Sequence, residues 1–244
     1  MLSSRFYEYG KFLKSLWITT IRLVWGMWQL TRFPQPAVTV FGGARIQRDS
    51  PFAALARELT HKLANHGFSI ITGGGPGIME AANEGALEAL NACDVHDKDC
   101  RKRLVSAGIS LVRLNNEKAN KYVQANIVMA HFFARKWLLV RYSVGFVVFP
   151  GGFGTLDELF EVVTLVQCNR MAKVPIILIN RSFWQPIMNW IEEQAIPRGL
   201  MAPEDQLIIS VVDTADEAFV ILHQYCKHRD KSIDYGHDQG DMPN

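Results

Sequence analysis

A chain of 244 residues and 27.6 kDa, 48% hydrophobic and 20% charged, is long and apolar enough to bury one good core, which excludes the disordered, collagenous and low-complexity classes. Its 26 Lys and Arg against 24 Asp and Glu leave a net charge of +2, too little to draw it toward nucleic acid. Four cysteines, Cys93, Cys100, Cys168 and Cys226, are too few and too scattered for a secreted disulfide framework, so a reducing, cytoplasmic setting is expected.

Residues 1–36 read as an amphipathic helix and linker. The stretch 16–30 is apolar, but Arg22 interrupts it and it falls short of the ~20 residues a bilayer span needs. Glu8, Lys11, Ser15, Thr19, Arg22 and Gln29 recur at three and four residues, which draws one polar stripe on an otherwise apolar helix. Two uses follow for the apolar sides. The preferred one is packing on the chain's own domain or on a sister subunit; the other is contact with a membrane surface, with Trp17, Trp25 and Trp28 at the interface. No small-residue cleavage pattern marks a signal peptide before Pro34 and Pro36.

Beyond that break, residues 37–41 read as a strand and 51–66 as a helix with Phe52, Leu55, Leu59 and Leu63 on one face. Strands follow at 68–72, 105–112, 144–149, 174–179 and 207–212, and helices at 78–90, 129–141, 155–166, 183–195 and 215–225. Residues 91–103 and 114–121 read as connections. Cys93, His96 and Cys100 lie close together in the first of these but lack a fourth ligand at zinc spacing, so no metal is expected. Residues 228–244 read as a polar, disordered tail. The alternation predicts a single Rossmann-like α/β domain at 37–227, a doubly wound parallel sheet with helices on both faces.

Ligands of such sheets bind beyond the carboxyl ends of the strands. Three glycine turns fall there, each between a strand and a helix: Gly42-Gly43-Ala44-Arg45, Gly73-Gly74-Gly75-Pro76-Gly77 and Pro150-Gly151-Gly152-Phe153-Gly154-Thr155. Free backbone N–H groups and the helix dipole at these ends suit an anion, and glycine lets the backbone come close to it. The dinucleotide fingerprint is absent, because Ile78 stands where its third glycine belongs, and no turn ends in Gly-Lys-Ser/Thr. A smaller phosphate ester remains. Asp157 and Glu158 lie in the first turn of the helix that Thr155 opens; they are either half of a capping box or carboxylates held beside the anion cradle. Arg135 and Lys136 are adjacent on a helix, about 100° apart, so at most one of them faces a given ligand.

The run Pro150-Gly151-Gly152-Phe153-Gly154-Thr155-Leu156-Asp157-Glu158 resembles the PGGxGTxxE signature of the LOG (Lonely Guy) family, formerly described as lysine decarboxylases. The resemblance spans residues 37–225 and includes Gly42-Gly43-Ala44-Arg45, the Gly73 to Glu80 turn, Arg135-Lys136 and Glu161-Val162-Val163-Thr164. It implies a phosphoribohydrolase that splits the N-glycosidic bond of a nucleoside 5′-monophosphate, AMP or a cytokinin ribotide, into base and ribose 5-phosphate. The family needs no metal or organic cofactor and is dimeric or higher. Carried over by position, the resemblance implies that Gly151, Gly152, Gly154 and Thr155 hold the 5′-phosphate and that Gly43, Arg45, Gly74, Gly75 and Lys136 bind the substrate or its phosphate. Glu80 and Thr164 line the pocket, and Arg135 and Glu158 are the catalytic pair.

The chain departs from the family pattern at Leu114-Asn115-Asn116-Glu117-Lys118, where longer bacterial members carry Leu-Pro-x-Glu-Gln, and at Gly43, usually serine. The rival reading is a binding protein of the same fold that holds a nucleotide or phosphorylated cofactor without cleaving it. A pyridoxal-dependent decarboxylase is disfavoured, because no lysine sits in a phosphate-cradling context.

Overall fold

The computed structural model describes residues 2–92, 103–112 and 119–233. The helix α1 (Leu2–Leu30) leads into a seven-stranded parallel sheet of β1 (Ala37–Phe41), β2 (Ser69–Thr72), β3 (Ser106–Leu111), β4 (Ala125–Met129), β5 (Gly145–Val148), β6 (Ile176–Ile179) and β7 (Ile209–Val212). The strands lie in the order β4-β3-β2-β1-β5-β6-β7, and every pairing is parallel. The expected doubly wound α/β architecture is what the chain adopts. β1, β2, β5 and β6 are buried at every residue, as strands covered on both faces must be.

One face carries α2 (Pro51–Asn65), α3 (Ile78–Asn91) and α7 (Ala215–Ile233); Leu59, Leu63, Ile78, Ala82 and Leu222 join Val38, Val40, Ile70 and Val147 of the sheet in its core. The other carries α1, α4 (Phe132–Arg141), α5 (Phe153–Gln167) and α6 (Arg181–Trp190), with Leu30, Leu138, Leu159 and Trp184 against Ile71, Ile109, Phe146 and Ile176. Ser50 caps α2 by accepting from the Ala53 N–H, and Pro51 occupies its first position, where a missing N–H costs nothing.

Four elements differ from expectation. β4 has no counterpart in the sequence reading; as an edge strand it fully buries only Ile127 and Met129, so its apolar run is short. The helix expected at 129–141 therefore starts at Phe132. The helix expected at 183–195 closes with a π-turn at Ile191–Ala195 and precedes a 3-10 turn at Pro203–Ile208. Finally, α7 runs on to Ile233, past the expected start of the tail at 228, since neither glycine nor proline stops it before Gly236. The Cys93, His96 and Cys100 cluster, the Leu114 to Lys118 motif and residues 234–244 lie outside the described residues.

α2 and α3 are joined by a buried acid. Glu84, 4% exposed, accepts from Arg48, from Arg57 Nη1 at 3.1 Å and from the Tyr122 hydroxyl at 2.6 Å. Burial pushes its pKa up, but the hydrogen bonds from Tyr122 and Arg48 and the charges of Arg48 and Arg57 outweigh this and hold it below the ordinary 4.5. A carboxylate lowered by folding stabilises above its unfolded pKa, and that stability is lost as pH falls below 4.5. Glu84→Ala, which leaves two guanidinium groups without their acid, is expected to cost about 2–4 kcal/mol at pH 7 and less as pH falls below 4.5, as read by urea unfolding across that range.

Candidate active site

β1 sits beside both β2 and β5, so the chain leaves β1 toward one face of the sheet and β5 toward the other. This is the switch point of a doubly wound sheet, where departing loops leave a crevice. All three glycine turns meet there around a cavity of about 520 Å³. Gly43, Arg45, Gly74, Gly75, Gly152, Gly154, Thr155, Arg135 and Glu158 line it, with Phe41, Met79, Ser110, Phe132, Phe153 and Asp157 among the other residues of the wall.

The third turn differs from its sequence reading. Gly152, not Thr155, caps α5, and no side chain closes the cap. The tight Pro150-Gly151-Gly152 bend lets the helix begin at Phe153, so Glu158 lies beyond the first turn and makes no capping box. The N–H groups of Phe153 and Gly154 have no acceptor within the helix, while that of Thr155 donates to the Gly152 carbonyl at 3.0 Å; Gly152, Phe153 and Gly154 form part of the cavity wall.

Glu158 is 7% exposed, and its Oε2 has no hydrogen-bond partner. Burial raises its pKa from 4.5 to about 7, against the opposing charges of Arg135 and Lys136; Glu161 and Asp157 push it up further. A buried carboxyl group poised near neutrality in a cavity wall is how catalytic acids and bases are tuned. Arg135 reaches the same cavity from α4. Its Nε donates to the Ile109 carbonyl oxygen at 2.9 Å, which anchors the guanidinium at the end of β3. The second turn makes room for it: a Cβ at Gly73 would collide with Arg135 Nη2.

Behind the second turn lies a buried polar network that sequence reading missed. Thr72 Oγ1 accepts from the Gly74 N–H at 3.0 Å and donates to Asn83 Oδ1 at 2.7 Å. Asn120 Nδ2 donates to the Gly75 carbonyl and to Asn83 Oδ1, both at 3.0 Å, and Asn83 Nδ2 donates to Ser106 Oγ at 2.8 Å. Asn83, fully buried on α3, thus fixes the glycine turn from beneath. The one signal for it in the sequence is an amide on the otherwise apolar face of that helix.

Four expected site residues lie elsewhere. Lys136, pointing away from Arg135 on the same helix, pairs with Asp157 at 2.8 Å and Glu161 at 3.1 Å, so it braces α4 against α5. Thr164 is exposed more than two turns beyond the cradle, and its hydroxyl donates to the Phe160 carbonyl at 2.6 Å. Glu80 is outside the cavity wall; the neighbouring Met79 takes that place. Gly151 supports the wall from behind, where a Cβ would collide with Thr155 Oγ1. Among the described residues no group of three His, Cys, Asp or Glu is gathered to hold a metal.

A family model described as "Possible lysine decarboxylase" matches residues 79–222, which hold Arg135, Glu158 and the signature turn between them. The chain belongs to this family, the LOG family. Among its LOG relatives, the cytokinin riboside 5′-monophosphate phosphoribohydrolase LOG of Oryza sativa subsp. japonica is 28% identical over 77% of this chain and 73% of its own length. LOG3 of Arabidopsis thaliana, described by the same activity, is 27% identical over 77% of this chain and 82% of its own. Two solved structures share the fold. One is the structural-genomics target TM1055 (TM-score 0.56, 23% identity, 78% of this chain and 99% of that one); the other is the molybdenum cofactor carrier protein of Chlamydomonas reinhardtii (TM-score 0.55, 20% identity, 79% and 99%).

Proposed function

We propose that the chain is a phosphoribohydrolase that cleaves the N-glycosidic bond of a nucleoside 5′-monophosphate, AMP or a cytokinin riboside 5′-monophosphate. The observation that carries this reading is the buried Glu158 carboxyl, with one oxygen unpaired, in the wall of a cavity built from three glycine turns. The LOG relatives, named for this activity, support it. Fold alone does not separate hydrolysis from binding, as the cofactor carrier illustrates.

In this reading the first-turn amides of α5 and the glycine turns hold the 5′-phosphate, which sets the sugar over Glu158. Water adds to C1′ as the C1′–N bond breaks. The electron pair leaves with the base, which takes up the proton water gives up, and the hydroxyl stays on ribose 5-phosphate. The transition state places positive charge on the sugar, which ionised Glu158 stabilises, and negative charge on the departing base, which Arg135 offsets. Arg135 acts through charge, since a guanidinium keeps its proton at working pH. The same proposal takes the enzyme to be a dimer or larger assembly, with the exposed Phe153 and Phe160 near the mouth of the site at a subunit contact.

Purified protein incubated with AMP, a cytokinin riboside 5′-monophosphate and the matching nucleosides is expected to release base and ribose 5-phosphate from the monophosphates only. Nucleosides, which forfeit the phosphate's binding energy, should be roughly 100-fold or more poorer in kcat/KM. A protein whose Tm rises with AMP but which frees no adenine is a binding protein, and the proposal fails.

A further inference from the structure

α1 is docked on the domain by a side that carries Ser15, Thr19 and Gly26 together with the apolar Leu23, Met27 and Leu30. Thr19 and Leu30 are buried, and Ser15 Oγ is 2.8 Å from His131 Nε2. Gly26 lies so close to Leu138 and Ile127 that a Cβ would meet both within 2.9 Å. The polar stripe expected on the outside thus faces, in part, inward. The opposite side is a stripe of Leu13, Trp17, Ile21, Val24 and Trp28, which are 53–68% exposed. Spacings of four, four, three and four keep these five on one face of the helix. Monomeric proteins rarely leave so continuous an apolar surface open to water.

We propose that this face seats the protein on an anionic lipid surface, with α1 lying in the plane of the interface. Charge is the first reason. Residues 2–32 hold five basic side chains, Arg5, Lys11, Lys14, Arg22 and Arg32, against the single acid Glu8; this net +4 stands in a chain whose total is +2. At 100° per residue, Lys11, Lys14 and Arg22 fall along one edge of the apolar stripe. Lys11 lies over the Tyr7 ring at 4.3 Å and Arg32 over the Trp28 ring at 5.3 Å, aromatic stems with cationic heads as found at headgroup depth. Composition is the second reason, for Trp17, Trp25 and Trp28 are the residue type that favours the membrane interface. Among the described residues no helix is long and apolar enough to cross a membrane, and a helix docked along one side has only its other face to offer. A second copy fits less well: an antiparallel two-fold contact through α1 sets this basic edge against itself.

The test is co-sedimentation of the full chain with vesicles of phosphatidylcholine alone and of phosphatidylcholine doped with phosphatidylglycerol. At least ~10-fold more protein is expected on the anionic vesicles, with a decline as salt is added. Trp17→Ser with Trp28→Ser, and separately Lys11→Glu with Lys14→Glu, should each cut that binding ~10-fold or more while far-UV circular dichroism and Tm stay as in the parent. Brominated lipid should quench the parent's tryptophan fluorescence, a readout that needs no variant. The proposal is overturned if the parent stays in the supernatant with anionic vesicles, or if the double tryptophan variant binds as the parent does. It is equally overturned if that variant halves the particle mass in solution while the parent ignores lipid, for then a second copy covers the face.

Discussion

Glu158→Gln is expected to lower kcat by roughly 10²- to 10⁴-fold, the range of a positioned acid or base, and at the same time to make the protein more stable at pH 8. The two effects share one cause. Folding raises the pKa of this carboxyl from 4.5 to about 7 because burial disfavours its charge. Between those values the folded state holds a proton that the unfolded chain has lost, so stability falls as pH rises from 4.5 and the full penalty stands above 7. The penalty is at most ~3 kcal/mol, and a neutral amide of the same shape escapes most of it. A Tm gain of several degrees at pH 8, shrinking toward none at pH 4, is therefore expected by calorimetry. A carboxyl kept for structure would show the opposite, a loss of stability with a matching loss of rate. In the parent, kcat/KM should rise through pH 7 as Glu158 ionises. A profile that falls there instead would make Glu158 the proton donor to the leaving base.

Arg135→Ala is expected to cost roughly 10²- to 10³-fold in kcat, with a smaller change in KM if the guanidinium acts mainly on the departing base. It should also move the rise of the pH profile upward, because the Arg135 charge is the largest influence holding the Glu158 pKa down. Arg135→Lys keeps the charge but not the planar donor that anchors Nε on the Ile109 carbonyl, so partial recovery of rate and near-complete recovery of the pH profile are expected. Steady-state kinetics across pH 5–9 on the three proteins would decide it. An unshifted profile in Arg135→Ala would separate the two residues and leave Arg135 as a brace of β3.

Much of the wall of the candidate site was legible in the sequence. Glycine turns advertise themselves because no other residue tolerates such close approaches, and a signature with Glu158 at its end names its own carboxylate. The neighbours were harder. Arg135 and Lys136 are chemically alike and adjacent, and only the packing of α4 on α5 assigns one to the cavity and the other to Asp157 and Glu161. Asn83 and Asn120 stand 37 residues apart, yet they meet beneath one glycine turn. Thr164 belongs to the same run of sequence as Glu158 but faces the outer side of α5, where a helical period carries it away from the cradle.

The sequence by itself determined the alternation of strands and helices except for β4, the three glycine turns and the acid beside the third, since these rest on hydrophobic period and on the special geometry of glycine, both local properties. Tertiary structure alone decided where α1 turns its apolar face, where α5 begins, and which charges reach Glu158. The polar stripe of α1 suggests an outward face when only hydrophobicity is counted; the docked side is instead the one whose small residues, Gly26 above all, let the helix approach Ile127 and Leu138. Close packing rewards shape as well as polarity, and shape belongs to two surfaces at once.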